Sequence, residues 1–253
     1  MLNEWIRKVK RAETPGYAAL KRFAQAIITA NLPYPRFLRP PLRALFEAHL
    51  VTLRAVRWLM VLLYKSPLFR ARCESVGRNF LLSRLPDMQG NTKIWIGDHV
   101  NFFGQVDIYS GAIFAEPVLR LGDHVDIGHN VMFVVNKEIV IEDHVNVASG
   151  VRFMDSDAHP RDTAERIADR PPRPEEIKPV RVCRYAWIGQ NAFIMKGVTV
   201  GEGAVIGANS VVVTDVPPYA VAMGNPARVV LKNASVPPAP PDTEKGAPQP
   251  AAG

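Results

Sequence analysis

One short stretch gathers more chemistry than any other: Asp155-Ser156-Asp157-Ala158-His159-Pro160 sets an imidazole beside two carboxylates. An imidazole, with an ordinary pKa near ~6.5, can take up a proton near neutral pH and act as a base toward a hydroxyl. Asp155 and Asp157 would orient that ring or bind a ligand hydroxyl, or else be solvated loop charges. Three other histidines, His99, His124 and His144, each lie in a Gly/Glu-Asp-His-Val stretch. Stacked in space they would form a metal ladder, but the stretch suits a solvated corner, and no metal is expected. Cys73 and Cys183 have no metal-ligand spacing. Gly201, Gly203 and Gly207 do not make a dinucleotide fingerprint, since no strand–helix unit surrounds them.

The elements that position these residues follow from an internal repeat. Aliphatic or aromatic residues recur every six positions as Ile96, Phe102, Ile108; Leu121, Ile127, Phe133; Ile141, Val147, Phe153; Val182, Ile188, Ile194; and Val200, Ile206, Val212. Within each group the spacing is six, and between groups it is 13, 8, 29 and 6. Every insertion therefore follows the third hexad. A triangular coil of about 18 residues explains this, because extra residues can leave a stacked wall only at a corner. A sandwich of alternating strands would show a period of two instead. The expected fold is a β protein, a single-stranded parallel β-helix of about five coils with strands about 4.8 Å apart. Three zones are expected: a basic helical segment over 1–93, the β-helix over 94–231 with an insertion at 155–181, and a disordered Pro/Ala-rich tail over 232–253.

Charge divides along the same lines. Residues 1–93 hold 17 Lys/Arg against 5 Asp/Glu, a net of +12, whereas 94–253 hold 14 against 19, a net of −5. Residues 42–64 read as a helix with Arg43, Glu47, Arg54 and Arg57 on one side. It would either cap the first coil or lie on an anionic membrane surface. No nucleic-acid motif accompanies the charge, so no nucleic-acid partner is expected. Two cysteines, the lack of an apolar stretch after the charged start, and an uncharged run of only seven residues at Trp58–Tyr64 point to a cytoplasmic protein, peripheral at most to the inner face of the membrane.

The segment Pro179–Val230 carries Trp-Ile-Gly at 187–189, Gly-Val-Thr-Val-Gly at 197–201, Asp-Val-Pro-Pro at 215–218 and Gly-Asn-Pro-Ala-Arg-Val at 224–229. In these motifs it resembles the hexapeptide-repeat acyltransferases, in particular the branch of maltose, galactoside and capsule or colanic acid O-acetyltransferases. The resemblance covers about residues 65–232 and implies a left-handed β-helix, a homotrimer, and active sites shared between neighbouring subunits. It implies acetyl-CoA as acyl donor, a sugar or polysaccharide precursor as acceptor, and His159 as general base. Asn136 falls where relatives place a polar residue on the acceptor, with Asp155 and Asp157 beside it. A backbone amide near Gly189 and Gln190 would stabilise the oxyanion. Trp187 would line the cofactor groove, and Ala208 would leave room for pantetheine. Arg228 and Lys232 would meet the phosphates of coenzyme A. Thr214 departs from the family, which often has Lys there. A serine acetyltransferase-like enzyme and a non-catalytic β-helix scaffold are the alternatives.

Overall fold

The computed structural model describes residues 2–12, 14–29, 35–111 and 113–231. The expected tail at 232–253, and with it Lys232, lies outside the described residues. The chain divides between Val56 and Arg57 into two units.

The second unit is a parallel β-helix with three walls. The first wall stacks Ser75–Val76, Lys93–Ile96, Val118–Leu121, Glu138–Ile141, Val180–Val182 and Thr199–Val200. The second stacks Leu81–Leu82, Asn101–Phe102, Asp126–Ile127, Asn146–Val147, Trp187–Ile188 and Val205–Ile206, and ends in an antiparallel hairpin of Val221–Gly224 and Ala227–Leu231. The third stacks Asp87–Gln89, Val106–Tyr109, Val131–Val134, Arg152–Met154, Phe193–Ile194 and Val211–Val212. Each repeat residue sits over the one below it, as in Ile96↔Leu121, Ile141↔Val182, Ile127↔Val147 and Phe133↔Phe153. These side chains fill the interior: Phe102, Ile127, Phe133 and Phe153 are completely buried. Every insertion leaves between the third wall and the first, as the spacing requires.

The β-helix starts at Ser75, a coil earlier than the expected residue 94, so its first and third walls stack six strands in place of about five coils. Val76, Leu82 and Met88 keep the six-residue step and pair with Ile96, Phe102 and Ile108. Arg78 and Arg84 lie in this coil and Arg70 and Arg72 just before it, which gives it the composition of the preceding segment. Arg78 is nonetheless part of the stack, donating its backbone amide and guanidinium to Asp98.

The corner between the first and second walls has its own ladder. The amide of Asp98 donates to Asp123 at 2.7 Å, and that of Asp123 to Asp143 at 2.8 Å. The next residues, His99, His124, His144 and Tyr185, all hold φ between 55° and 63°. That left-handed turn costs a side chain about 1–2 kcal/mol. The rings offset part of this by stacking at 4.6, 4.7 and 5.2 Å. The histidines with candidate metal spacing thus lie face to face, with planes 3° apart.

Before the first coil, α1 (Leu2–Arg11), α2 (Pro15–Ile28) and α3 (Arg39–Met60) are helical. Thr14 caps α2 by accepting the Tyr17 amide, and Pro15 opens it, where its missing N–H costs nothing. Neither α2 nor α3 contains a buried residue. A π-helical turn, Val61–Lys65, leads into α4 (Ser66–Arg72). There Phe69, completely buried, packs its ring against Phe80 at 5.8 Å and Phe102 at 6.0 Å. Phe69 of α4 therefore covers the open end of the stack, and Val61 of the π-helical turn packs against the same core.

Glu202, beside the last corner, accepts from Tyr219 at 2.6 Å and from Arg184 at 3.0 Å, which holds its carboxyl below the usual 4.5. A depressed carboxyl stabilises the fold above its unfolded pKa, and the effect is lost as pH falls through the folded value. Tyr219→Phe should therefore lower Tm at pH 7, with the deficit shrinking below about pH 4. An undiminished deficit at pH 3 would contradict this.

Candidate active site

The third wall delivers the chain to the corner where His159 stands. Asp155, just past Met154, turns inward and is completely buried. Its carboxylate accepts the amides of Asn136 at 2.8 Å, Lys137 at 2.6 Å and Glu138 at 3.0 Å. Burial pushes its pKa up, while the amides of Lys137, Asn136 and Glu138 pull the other way. Asn136 is also buried, and its Oδ1 accepts the Gly111 amide at 2.8 Å. Gly111, Asn136 and Asp155 thus form a polar column down the insertion corner. The carbonyl of Asp155 accepts the Lys178 amide at 3.0 Å, which pins the far end of the insertion to its start.

Between those pins, each residue around His159 is held. Ser156 is buried and its Oγ accepts the Ala158 amide at 3.1 Å; Ala158 takes a φ of 65°. Pro160 is buried, and its carbonyl accepts Nη1 of Arg166 at 3.0 Å. Arg166 belongs to α5 (Thr163–Ile167), which Asp162 caps by accepting the amides of Ala164 and Glu165. Within this run His159 and Ala158 line an open cleft of about 410 Å³, together with Tyr109, Ser110, Asn136 and Arg170. The structure therefore brings His159 and Asn136 together. It corrects one of the two aspartates. Asp155 has no surface for an acceptor and instead holds the corner. Asp157 is outside the cleft lining and pairs with Lys196 at 2.5 Å and Arg161 at 3.9 Å. Lys196 and Tyr109 were missed because each belongs to another coil and only the stacking brings it near; Arg170 lies in the same insertion, where no motif marks it.

The cofactor candidates form a second cluster, on the second wall. Trp187 is 55% exposed on its outer face, in register between Asn146 and Val205. The amide of Gly189 donates to the Ile206 carbonyl at 2.8 Å, so the expected oxyanion role at Gly189 is overturned. Its own reason is steric: a Cβ there would lie 2.5 Å from the Ile206 carbonyl oxygen. The amide of exposed Gln190 makes no hydrogen bond among the described residues. Ala208 is exposed one coil above. Thr214 is exposed beside Asp215, whose carboxylate accepts the Thr199 amide at 2.7 Å. Arg228 is exposed on the terminal hairpin, its Nη1 donating to the Ala227 carbonyl. None of these residues lines the His159 cleft.

A larger groove of about 980 Å³ follows the first wall past Trp95, Arg120 and Cys183. In its lining Arg184 pairs with Glu202, and Glu142 pairs with Arg181 outside it; no histidine lines the groove. Burial pushes the Cys183 thiol up and that of Cys73 to about 12, so neither supplies a thiolate at neutral pH.

Residues 179–214 match the family described as bacterial transferase hexapeptide (six repeats). Residues 179–214 therefore carry the bacterial transferase hexapeptide repeat. Over 114 residues it is 35% identical to YJL218W of Saccharomyces cerevisiae, a provisionally named acetyltransferase, covering 45% of this chain and 56% of that one. Over 58 residues it is 47% identical to the likewise provisionally named acetyltransferase SACOL2570 of Staphylococcus aureus, covering 23% and 29%. The chain thus spans less than two thirds of either relative. A mutant of AntD, an N-acyltransferase from Bacillus cereus solved with dTDP-4-amino-4,6-dideoxyglucose and coenzyme A, has the same fold at a TM-score of 0.51. It is 20% identical, over 67% of this chain and 89% of that one.

If Asp155 holds the corner through its ionised oxygens, Asp155→Asn should be costly. One oxygen would become an NH₂ facing amide donors, and a buried donor left unpaired costs about 1–3 kcal/mol. A urea titration should show that loss; a change below about 0.5 kcal/mol would mean the column is dispensable.

Proposed function

We propose that this protein is an acyl-CoA-dependent O-acyltransferase, with acetyl-CoA as donor and a hydroxyl of a sugar or polysaccharide precursor as acceptor. The observation that carries the reading is an exposed His159 in an otherwise pinned corner, over a cleft it shares with Asn136. His159 would take the proton of the acceptor hydroxyl as that oxygen bonds to the thioester carbonyl carbon. It would return the proton to sulfur as the carbon–sulfur bond breaks, so the imidazole is unchanged at the end of each turnover. The oxyanion formed in between needs a donor already in place. The Gln190 amide suits this, because the fold makes no use of it. Its counterpart in the next coil is Ala208; Asn191 and Asn209 follow the two at φ of 56° and 58°, and the Asn209 amide donates to the Gln190 carbonyl.

The second wall fits the donor in outline. Small, exposed Ala208 beside Gln190 leaves a path for a narrow chain, and Arg228 supplies positive charge for a phosphate. Thr214 supplies none. His159 follows the third wall and Trp187 faces out from the second, so one chain holds the two halves apart. A homotrimer, in which His159 of one subunit meets Trp187 and Gln190 of its neighbour, would close the site. The acetyltransferase names of the two relatives support acyl transfer; the sugar acceptor rests on the motif resemblance. The cytoplasm is the compartment that supplies this donor.

Two outcomes are expected. A screen of sugar acceptors with acetyl-CoA should release thiol, and His159→Ala should cut kcat by about 100-fold or more while coenzyme A binding is retained. Near-normal turnover of the variant would remove His159 as the base. Sedimentation equilibrium should give three chains per particle at micromolar concentration, and a monomer would refute the shared site.

A further inference from the structure

The β-helix hides its apolar side chains, but the segment before it does not. Of the 29 large hydrophobic residues that stand exposed among the described residues, 20 lie between Trp5 and Leu68. In α3 they include Leu45, Phe46, Val51 and Trp58, each more than half exposed. Apolar surface on this scale marks a face made for something other than water.

Charge says what that something is. Arg39, Arg43, Arg54 and Arg57 fall at steps of four, eleven and three, which a helix of 3.6 residues per turn places on one stripe. Glu47 is the one acid on it. Leu42, Phe46, Leu53 and Met60, at steps of four, seven and seven, make the neighbouring stripe. None of the four arginines takes part in a salt bridge among the described residues. Residues 1–65 as a whole hold 12 Lys/Arg against 3 Asp/Glu. A broad apolar face edged by arginine is the pattern of a helix lying in the plane of a bilayer, its aliphatic side chains among acyl chains and its guanidinium groups at the headgroups. Among the described residues no helix is long and apolar enough to cross a membrane.

We infer that α3 binds the surface of a bilayer carrying anionic phospholipid and tethers the β-helix there. A second copy of this chain would also cover apolar surface. It would, however, bring the same unpaired arginines together, whereas an anionic headgroup layer neutralises them. The inference rests on the amino-terminal helices alone and stands whether or not the acyl-transfer reading does.

The test is flotation of the full chain with vesicles of phosphatidylcholine, with and without phosphatidylglycerol, at about 0.05 M and about 0.5 M salt, across which the screening length shrinks severalfold. The protein should float with the anionic vesicles at low salt, and the bound fraction should fall about tenfold or more at high salt or without the anionic lipid. The quadruple variant Arg39→Gln, Arg43→Gln, Arg54→Gln, Arg57→Gln should lose the salt-sensitive binding; all four are surface residues, so circular dichroism should be unchanged. Tryptophan emission should shift to the blue on vesicle binding, and Trp58→Phe should reduce that shift. Failure to float under all four conditions would overturn the inference. So would equal flotation on neutral and anionic vesicles, or binding kept by the quadruple variant.

Discussion

A strand in this fold has no partner within its own coil. Its backbone groups are satisfied only by the coils above and below, in parallel register, as in Val118–Leu121 between Lys93–Ile96 and Glu138–Ile141. A buried N–H or C=O left unpaired is expensive, so the walls tolerate no inserted residue. Everything else follows from that restriction. The interior must repeat every six residues, the corners must turn in a left-handed conformation where required, and any additional chain must leave at a corner. The ends of the stack have no next coil, and the protein closes them differently. Phe69 covers one, and the antiparallel hairpin of Val221–Gly224 and Ala227–Leu231 terminates the second wall at the other.

The same restriction assigns chemistry to the corners. A wall residue has its backbone committed and its side chain either inside the core or in a register ladder. The insertion at the third-to-first corner escapes both, but it must be anchored to be useful. Asp155 does this by burying a carboxylate under three backbone amides, and its carbonyl takes the amide at the far end of the insertion. A deeply placed acid here is thus a structural part that gives His159 a fixed address. Gln190 is the complementary case: a corner residue whose amide the turn does not need.

Much of the fold was legible because the interior repeat has no alternative explanation, and the spacing alone located the insertion corner. The first coil was overlooked although Val76, Leu82 and Met88 keep the step, because arginines around them carry the composition of the preceding helices. At the site, the motif pointed to His159, and Asn136 lies beside it. Asp155 was misread, since a carboxylate near a histidine in sequence says nothing about which way the chain turns between them. The Gly189 amide was misread for a related reason: Gly189 lies within the wall's bonding pattern and Gln190 one residue past it. Lys196, the partner of Asp157, belongs to the next coil, and only the coil-to-coil register places the two together.

The central claim is that one chain carries the base and its neighbour the oxyanion donor, because the third-wall corner and the second wall of a single β-helix hold separate halves of the site. Subunit complementation measures this directly. His159→Ala lacks the base, and Gln190→Pro lacks the amide, which makes no hydrogen bond among the described residues. Each variant should be inactive alone in acceptor-dependent thiol release from acetyl-CoA. Dissociated, mixed and reassembled, the two should regain a substantial fraction of wild-type activity, since mixed trimers contain interfaces where both groups are intact. Mixtures that reassemble yet stay as inactive as the separate variants would contradict the shared site.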